Sequence, residues 1–215
     1  MDEEITIINT NTRNEKIKNF FIKNKKTLIV IISTIVLLII VYFSFDEINK
    51  RNKIKLANQF NLIIINYDNA IEKEKMISDL IAIVKKKDKT YSPLALYFLI
   101  DNNLIDNKDS INNLFDVLIN KVNLELEIKN LLIYKKALFS SNFMKENELI
   151  QILNPIINSK SIWKSHALYL MAEFFYANNE KEKAKEFFNQ ILILPNSNNE
   201  IKLESQKRLN RDISE

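Results

Sequence analysis

The only histidine and two pairs of glutamates are the residues whose types could carry out chemistry in this chain. His166 would have to supply any imidazole-based acid–base step alone. Glu125 with Glu127, and Glu146 with Glu148, bring carboxyl groups close in sequence, as general acid–base catalysis requires. Their i, i+2 spacing puts the two members of each pair on different faces of a helix. No His, Asp and Glu cluster has the spacing of metal ligands. The sequence therefore predicts no catalytic residue and no metal site.

Composition removes further classes of function. The chain has no cysteine, which excludes disulfides, zinc–thiolate sites and cysteine nucleophiles. It also has no glycine, which phosphate-binding loops, dinucleotide fingerprints and nucleophile elbows require for positive φ or close approach to a ligand. We expect no cofactor and no enzymatic activity. A lytic or hydrolytic envelope enzyme would need a carboxylate with a perturbed pKa in a cleft, and the sequence offers no candidate.

The elements that must position any site begin with an uncharged run, residues 27–45, dominated by Ile, Leu and Val. About 20 apolar residues suffice for a helix to cross the hydrocarbon core. A cleaved signal peptide would have a shorter core and small residues at its end, and a buried soluble helix would usually carry polar interruptions. We favour an uncleaved transmembrane helix and leave these two alternatives open.

Flanking cations predict the orientation of this helix. The side with more Lys and Arg near the span faces the cytoplasm. Six cations precede the span and four follow it: Arg13, Lys16, Lys18, Lys23, Lys25, Lys26, then Lys50, Arg51, Lys53, Lys55. This predicts a single-pass protein of a bacterial inner membrane, with a basic cytoplasmic tail (1–26) and a periplasmic domain (46–215).

The net charge of +4 has its excess beside the span, where it can meet anionic lipid head groups. A nucleic-acid-binding domain would instead concentrate basic and aromatic residues on its folded surface. Lys85, Lys86 and Lys87 form the one basic run of the domain, and we interpret them as a solvated helix end. We expect protein partners and membrane lipid, and no nucleic acid.

Apolar periodicity predicts an all-α domain of antiparallel helix pairs. The clearest single helix carries Ile111, Leu114, Phe115, Leu118, Ile119 and Val122 on one face. Other pairs occupy about 124–141 with 145–157, and 162–177 with a return helix, before a capping helix at 198–212.

Three local signals predict helix boundaries. Ser92 followed by Pro93 is typical of an N-cap and a first helical residue. Pro155 should end or kink its helix near Leu153. Asn179 and Glu182 have the spacing of a capping box.

The last pair, 162–195, resembles a tetratricopeptide repeat, with small, aromatic, small and proline positions in that order. Ala172, Phe175, Ala184, Phe188 and Pro195 hold these positions. Ala95 and Ala137 are loose equivalents of Ala172 in earlier pairs. The resemblance implies a right-handed solenoid, and an ordinary helical bundle is the alternative.

A second resemblance covers most of the chain. A basic N-terminus, one span and degenerate repeats are similar to the plan of the YfgM-like ancillary subunits of the bacterial Sec translocon. The matching segments are Trp163-Lys164-Ser165-His166-Ala167, Asn179-Glu180, Ala184, Phe188, Pro195 and residues 201–209. This resemblance implies a scaffold whose partners are translocon subunits, periplasmic chaperones or nascent chains.

If Ala172 takes the small position of the repeat, the concave face carries His166, Tyr169, Glu173 and Tyr176, with Tyr134 as the analogue one repeat earlier. These residues share one helix stripe, and aromatic rings with polar tips suit a protein surface. The alternative is that the tyrosines pack against the neighbouring pair. A structural or assembly factor of the cell envelope or division machinery is the alternative function, and the oligomeric state stays open.

Overall fold

The computed structural model describes residues 15–67 and 72–213, and its regular elements in these ranges are all helical. Residues 1–14 of the predicted basic tail (1–26) lie outside them. A helical stretch over residues 15–23 comes first. The nine α-helices that follow in the described residues are α1 Lys25–Ile65, α2 Lys73–Lys85, α3 Tyr91–Asp101, α4 Lys108–Lys121, α5 Leu126–Ser140, α6 Glu146–Ile157, α7 Lys164–Ala177, α8 Lys181–Ile193 and α9 Asn199–Arg208, which continues into a π-helical turn, Leu209–Ile213.

Helix α1 contains the uncharged run and is, among the described helices, the one long and apolar enough to cross a membrane. Its apolar side chains from Ile29 to Phe45 are exposed to the surroundings. The chain divides into two compact units, Met1–Lys55 and Leu56–Glu215. Leu56 is the first buried residue of α1, so the second unit begins where α1 first contributes to a core.

In the second unit, each helix packs against its neighbours in sequence or the next but one, within the described residues. Side-chain contacts give the directions. Helices α4 and α5 run antiparallel, as do α7 and α8. The contacts are Asn112–Ser140 and Asp116–Lys136 in the first case, and Tyr169–Phe188 and Phe175–Lys183 in the second.

Alternate helices run in the same direction. The start of α7 lies beside the start of α9, because the Asn198 amide donates to Ser165 Oγ at 3.3 Å. Further along both helices, Arg208 contacts Glu173. An antiparallel neighbour followed by a parallel second neighbour is the order that stacked helix pairs produce.

The core of the last pair is closely packed. Ala172, Ala184 and Phe188 are fully buried, and the Phe175 ring stacks on Phe187 with centroids 5.5 Å apart. Helix α8 ends at Ile193, two residues before Pro195, because proline disfavours the helical conformation in the residue before it.

Helix C-termini show how a chain without glycine makes tight turns. Asn103 and Asn179 have φ of 50° and 61°, and both follow the last helical turn. The Asn179 amide donates to the Tyr176 carbonyl and the Glu180 amide to the Phe175 carbonyl, which is a Schellman motif. The predicted capping box at Asn179 and Glu182 is therefore wrong: Asn179 ends α7, and the residue before α8 is Glu180, without a side-chain cap.

Two other boundary predictions are corrected. Helix α3 begins at Tyr91, so Ser92 is not its N-cap and Pro93 is its third residue. The buried Ser92 hydroxyl instead donates to the Ile83 carbonyl at 2.7 Å and accepts from the Asp88 amide. This bond joins the end of α2 to the start of α3.

Pro155 does not end α6 near Leu153, since the helix continues to Ile157. Proline leaves the Gln151 carbonyl without its usual intrahelical donor. Leu153 and Ile156 are both fully buried on either side of it. Packing of these side chains outweighs the lost hydrogen bond.

Candidate functional site

The five residues predicted to line a partner groove lie on α5 and α7, and all are half-buried. Tyr134 belongs to α5, whereas His166, Tyr169, Glu173 and Tyr176 follow one another along α7. The structure brings Tyr134 to His166, with ring centroids 5.8 Å apart. The stripe divides into two halves with different surroundings.

The first half is an aromatic cluster of Tyr134, Trp163 and His166. The Tyr134 and Trp163 rings are stacked, with centroids 6.0 Å apart and an interplanar angle of 18°. The His166 ring lies 5.1 Å from that of Trp163. Burial raises the pKa of the Tyr134 hydroxyl and lowers the pKa of the His166 imidazole, because both charged forms lose hydration.

Polar atoms in and near this cluster are buried without partners. Trp163 Nε1 and His166 Nδ1 have no hydrogen-bond partner among the described residues, and neither does Nδ2 of Asn130, one turn before Tyr134 on α5. Each such atom costs roughly 1–3 kcal/mol relative to a satisfied one. This concentration of unmet hydrogen bonds distinguishes the first half from the second.

The second half is an ionic clamp of Arg208 on Glu173. The Arg208 guanidinium of α9 binds both carboxylate oxygens of Glu173, through Nε at 2.7 Å and through Nη2. The same guanidinium lies 5.1 Å from the Tyr176 ring centroid and 2.7 Å from Asp212. Arg208 thus contacts Glu173 and Tyr176 on α7 and Asp212 on the π-helical turn.

The clamp also sets the protonation of its members. Burial, followed by the nearby Glu173 charge, raises the pKa of Tyr169 to about 12. Hydrogen bonds to Glu173 and then to Asp212 raise the pKa of Arg208. The hydrogen bonds from Arg211 and Arg208 lower the pKa of Asp212. Arg208 and Asp212 are therefore ionised near neutral pH.

A cleft of about 390 Å³ opens beside Glu173. Met144, Leu170 and Phe174 give it apolar walls, and Ser141 and Asn142 give it polar atoms from the loop after α5. A cleft with both apolar and polar walls can accept a side chain of another protein.

The carboxylates considered for catalysis have structural roles. Glu127 accepts hydrogen bonds from the Ser161 hydroxyl at 2.7 Å and from the Ile162 amide. Glu146 pairs with Lys183 at 2.9 Å. Among the described residues no group of three or more His, Cys, Asp or Glu could hold a metal ion.

Arg208 and Asn130 are the site residues that the sequence did not reveal. The Arg208 contact joins residues 35 positions apart, and a polar capping helix gives no sign of which neighbour it covers. Asn130 did carry a signal: it is a polar residue at i−4 from Tyr134, on the side of α5 that becomes buried.

Comparisons with protein-family models, with curated proteins and with solved structures find no match to this chain.

Proposed function

We propose that this protein is a non-enzymatic, membrane-anchored scaffold that binds other proteins through the face shared by α5 and α7. The observation that supports it best is the aromatic cluster. Tyr134, Trp163 and His166 are half-buried aromatic residues with two unpartnered polar atoms, Trp163 Nε1 and His166 Nδ1. The accessible parts of these rings suit a protein partner, because aromatic residues with polar tips are enriched at protein interfaces.

Helix α1 supplies the anchor in this proposal. It crosses the membrane once over residues 27–45, and the excess of Lys and Arg before it keeps the N-terminus in the cytoplasm. The second unit is then the periplasmic domain of a bacterial inner-membrane protein.

A right-handed solenoid of tetratricopeptide-like pairs is the proposed arrangement of the domain. Antiparallel neighbours with parallel second neighbours support it. So does the complete burial of Ala95, Ala137 and Ala172, which place one small residue on each of α3, α5 and α7. Small residues at these positions let paired helices approach closely.

The partners that we propose follow from the resemblance to the YfgM-like subunits: translocon subunits, periplasmic chaperones or nascent chains. Tyr169, Glu173 and Tyr176 would extend the binding face where the cleft opens. We expect the partner to contact the aromatic cluster rather than the clamp, because Arg208 of the described chain already occupies Glu173 at the clamp.

In-cell crosslinking from a photoreactive residue at Tyr134 or at Tyr176 tests this function. We expect crosslinks to translocon subunits or periplasmic chaperones, stronger from position 134 than from 176, where Arg208 covers the ring. Ile193 on α8, which is 80% exposed, provides the matched control position.

Equal crosslinking from Ile193 and Tyr134 would contradict the proposed face. Crosslinks from Tyr134 to this chain alone would contradict the partner class and favour self-assembly.

A structural factor of the cell envelope or division machinery is the second candidate, and the end of α1 favours it. Leu62 and Ile65 are 61% and 75% exposed, and a groove of about 340 Å³ runs between this part of α1 and α2. Exposed apolar residues at the end of a long helix could pair with a second copy. Leu62→Ser with Ile65→Ser would then abolish self-association but leave translocon co-purification unchanged.

A further inference from the structure

The helical stretch over residues 15–23 carries four exposed apolar side chains. Ile17, Phe20, Phe21 and Ile22 are 48%, 57%, 56% and 63% exposed. At about 100° per residue, the first three fall within an arc roughly 100° wide, and Ile22 lies about 100° beyond Phe21. Helices that combine exposed apolar side chains with lysines lie in membrane interfaces.

Lysines border this arc on both sides. Lys16 and Lys23 lie along one edge, and Lys18 and Lys25 along the other, by the same helical period. Glu15 is the one acidic residue in the segment 15–26. Long lysine side chains on the borders of an apolar arc can reach head groups while their stems stay in the apolar layer.

The segment adjoins the uncharged run directly. The Asn24 side chain donates to the Phe20 carbonyl at 3.0 Å, and the Leu28 amide donates to the Asn24 carbonyl at 2.9 Å. The apolar arc therefore emerges at the lipid surface if α1 spans the membrane. Residues 15–23 would then always lie close to the bilayer, because the span holds them there.

We propose that residues 15–23 form an interfacial helix that binds anionic phospholipids of the membrane in which α1 is anchored. Ile17, Phe20 and Phe21 enter the boundary of the acyl chains, and the bordering lysines bind the phosphates. This inference rests on the anchor part of the proposed function.

Spin labels on single cysteines test it in the full-length chain, since the chain has no cysteine of its own. Phe20→Cys and its matched control Asn19→Cys, a polar position opposite the arc, are labelled and reconstituted in phosphatidylcholine vesicles with and without phosphatidylglycerol. We expect the label at 20 to collide mainly with oxygen, and the label at 19 mainly with a water-soluble nickel complex.

The difference in collision ratio between the two labelled positions should depend on lipid charge. In neutral vesicles we expect it to shrink, and Lys16→Gln with Lys23→Gln should lower the bound population about fivefold per lysine removed. Equal collision ratios at positions 20 and 19 would overturn the inference, as would a difference between them that does not depend on lipid charge. An immobile label at 20 that meets neither reagent would assign the arc to a protein contact instead.

A label at Leu37→Cys separates the two proposals. If the label at Leu37 is buried in hydrocarbon while the labels at 20 and 19 give equal collision ratios, the interfacial helix is wrong and the anchor stands. If Leu37 reads as water-exposed, the anchor itself is wrong.

Discussion

The two halves of the predicted face differ in how their polar atoms are satisfied, although His166 and Glu173 lie along the same helix, α7. At the ionic clamp, Arg208 donates hydrogen bonds to the Glu173 carboxylate and lies over the Tyr176 ring. At the aromatic cluster, Trp163 Nε1 and His166 Nδ1 stay unpartnered. Position along a helix therefore does not by itself define an accessible surface. The surface also depends on which residues the neighbouring helix covers, as α9 covers Tyr176.

Truncation of the core beneath the clamp should have the largest effect. Phe188 is fully buried and its ring lies 5.6 Å from that of Tyr169. We expect Phe188→Ala to lower the free energy of unfolding by about 3–5 kcal/mol, since it removes a ring and leaves a cavity. Thermal melts followed by circular dichroism measure this, with exposed Ile193→Ala as the control. A loss below that of Ile193→Ala would mean that α8 does not support the stripe.

Loss of the clamp should come second. Arg208→Ala leaves Glu173 half-buried and unpaired, and we expect a loss of about 1–2 kcal/mol, between the values for surface and buried pairs. Arg208→Lys should recover only part of it, because an ammonium cannot bind both carboxylate oxygens in plane. A double-mutant cycle with Glu173→Gln measures the coupling energy. Zero coupling would show that the clamp does not hold α9 on α7.

Relief of backbone strain at the end of α7 should give a smaller, opposite change. Asn179 has a φ of 61°, a conformation that costs residues other than glycine energy. We expect Asn179→Gly to stabilise the domain by about 0.5–1 kcal/mol. Asn178→Gly, at a φ of −90°, should destabilise it. Equal effects of both substitutions would contradict the assigned turn.

A pH titration should produce the smallest change in stability. The folded pKa of His166 lies below 6.5, so its contribution to stability is present above that pH and is lost as pH falls through the folded pKa. Tyr169 behaves oppositely: its contribution is present below pH 10 and lost towards about pH 12. The single imidazole makes the NMR titration unambiguous, and a pKa at or above 6.5 would contradict burial of His166.

Sequence patterns predicted what depends on neighbours in the chain. The helix of Ile111, Leu114, Phe115, Leu118 and Ile119 is confirmed, because all five side chains are buried on one face. The all-helical fold follows from the same periodicity. These features need only local spacing, which a sequence displays directly.

The predictions that were wrong concerned residues whose local spacing fits two different structures. Ser92 could cap a helix or bond across a turn, and the Ile83 carbonyl, nine residues earlier, decided between them. Asn179 could begin a helix or end one. The division of the stripe was also invisible, since it depends on where the Arg208 side chain lies in space.

Packing between helices that are near in sequence has a kinetic consequence. Within the described residues of the second unit, every helix contacts its neighbour or the next but one. Domains with such short-range contacts close small loops and fold quickly. Each helix pair can then form as soon as its own residues emerge during synthesis, without waiting for α9. The clamp on Glu173 becomes the final step, which closes the stripe only after the rest of the domain exists.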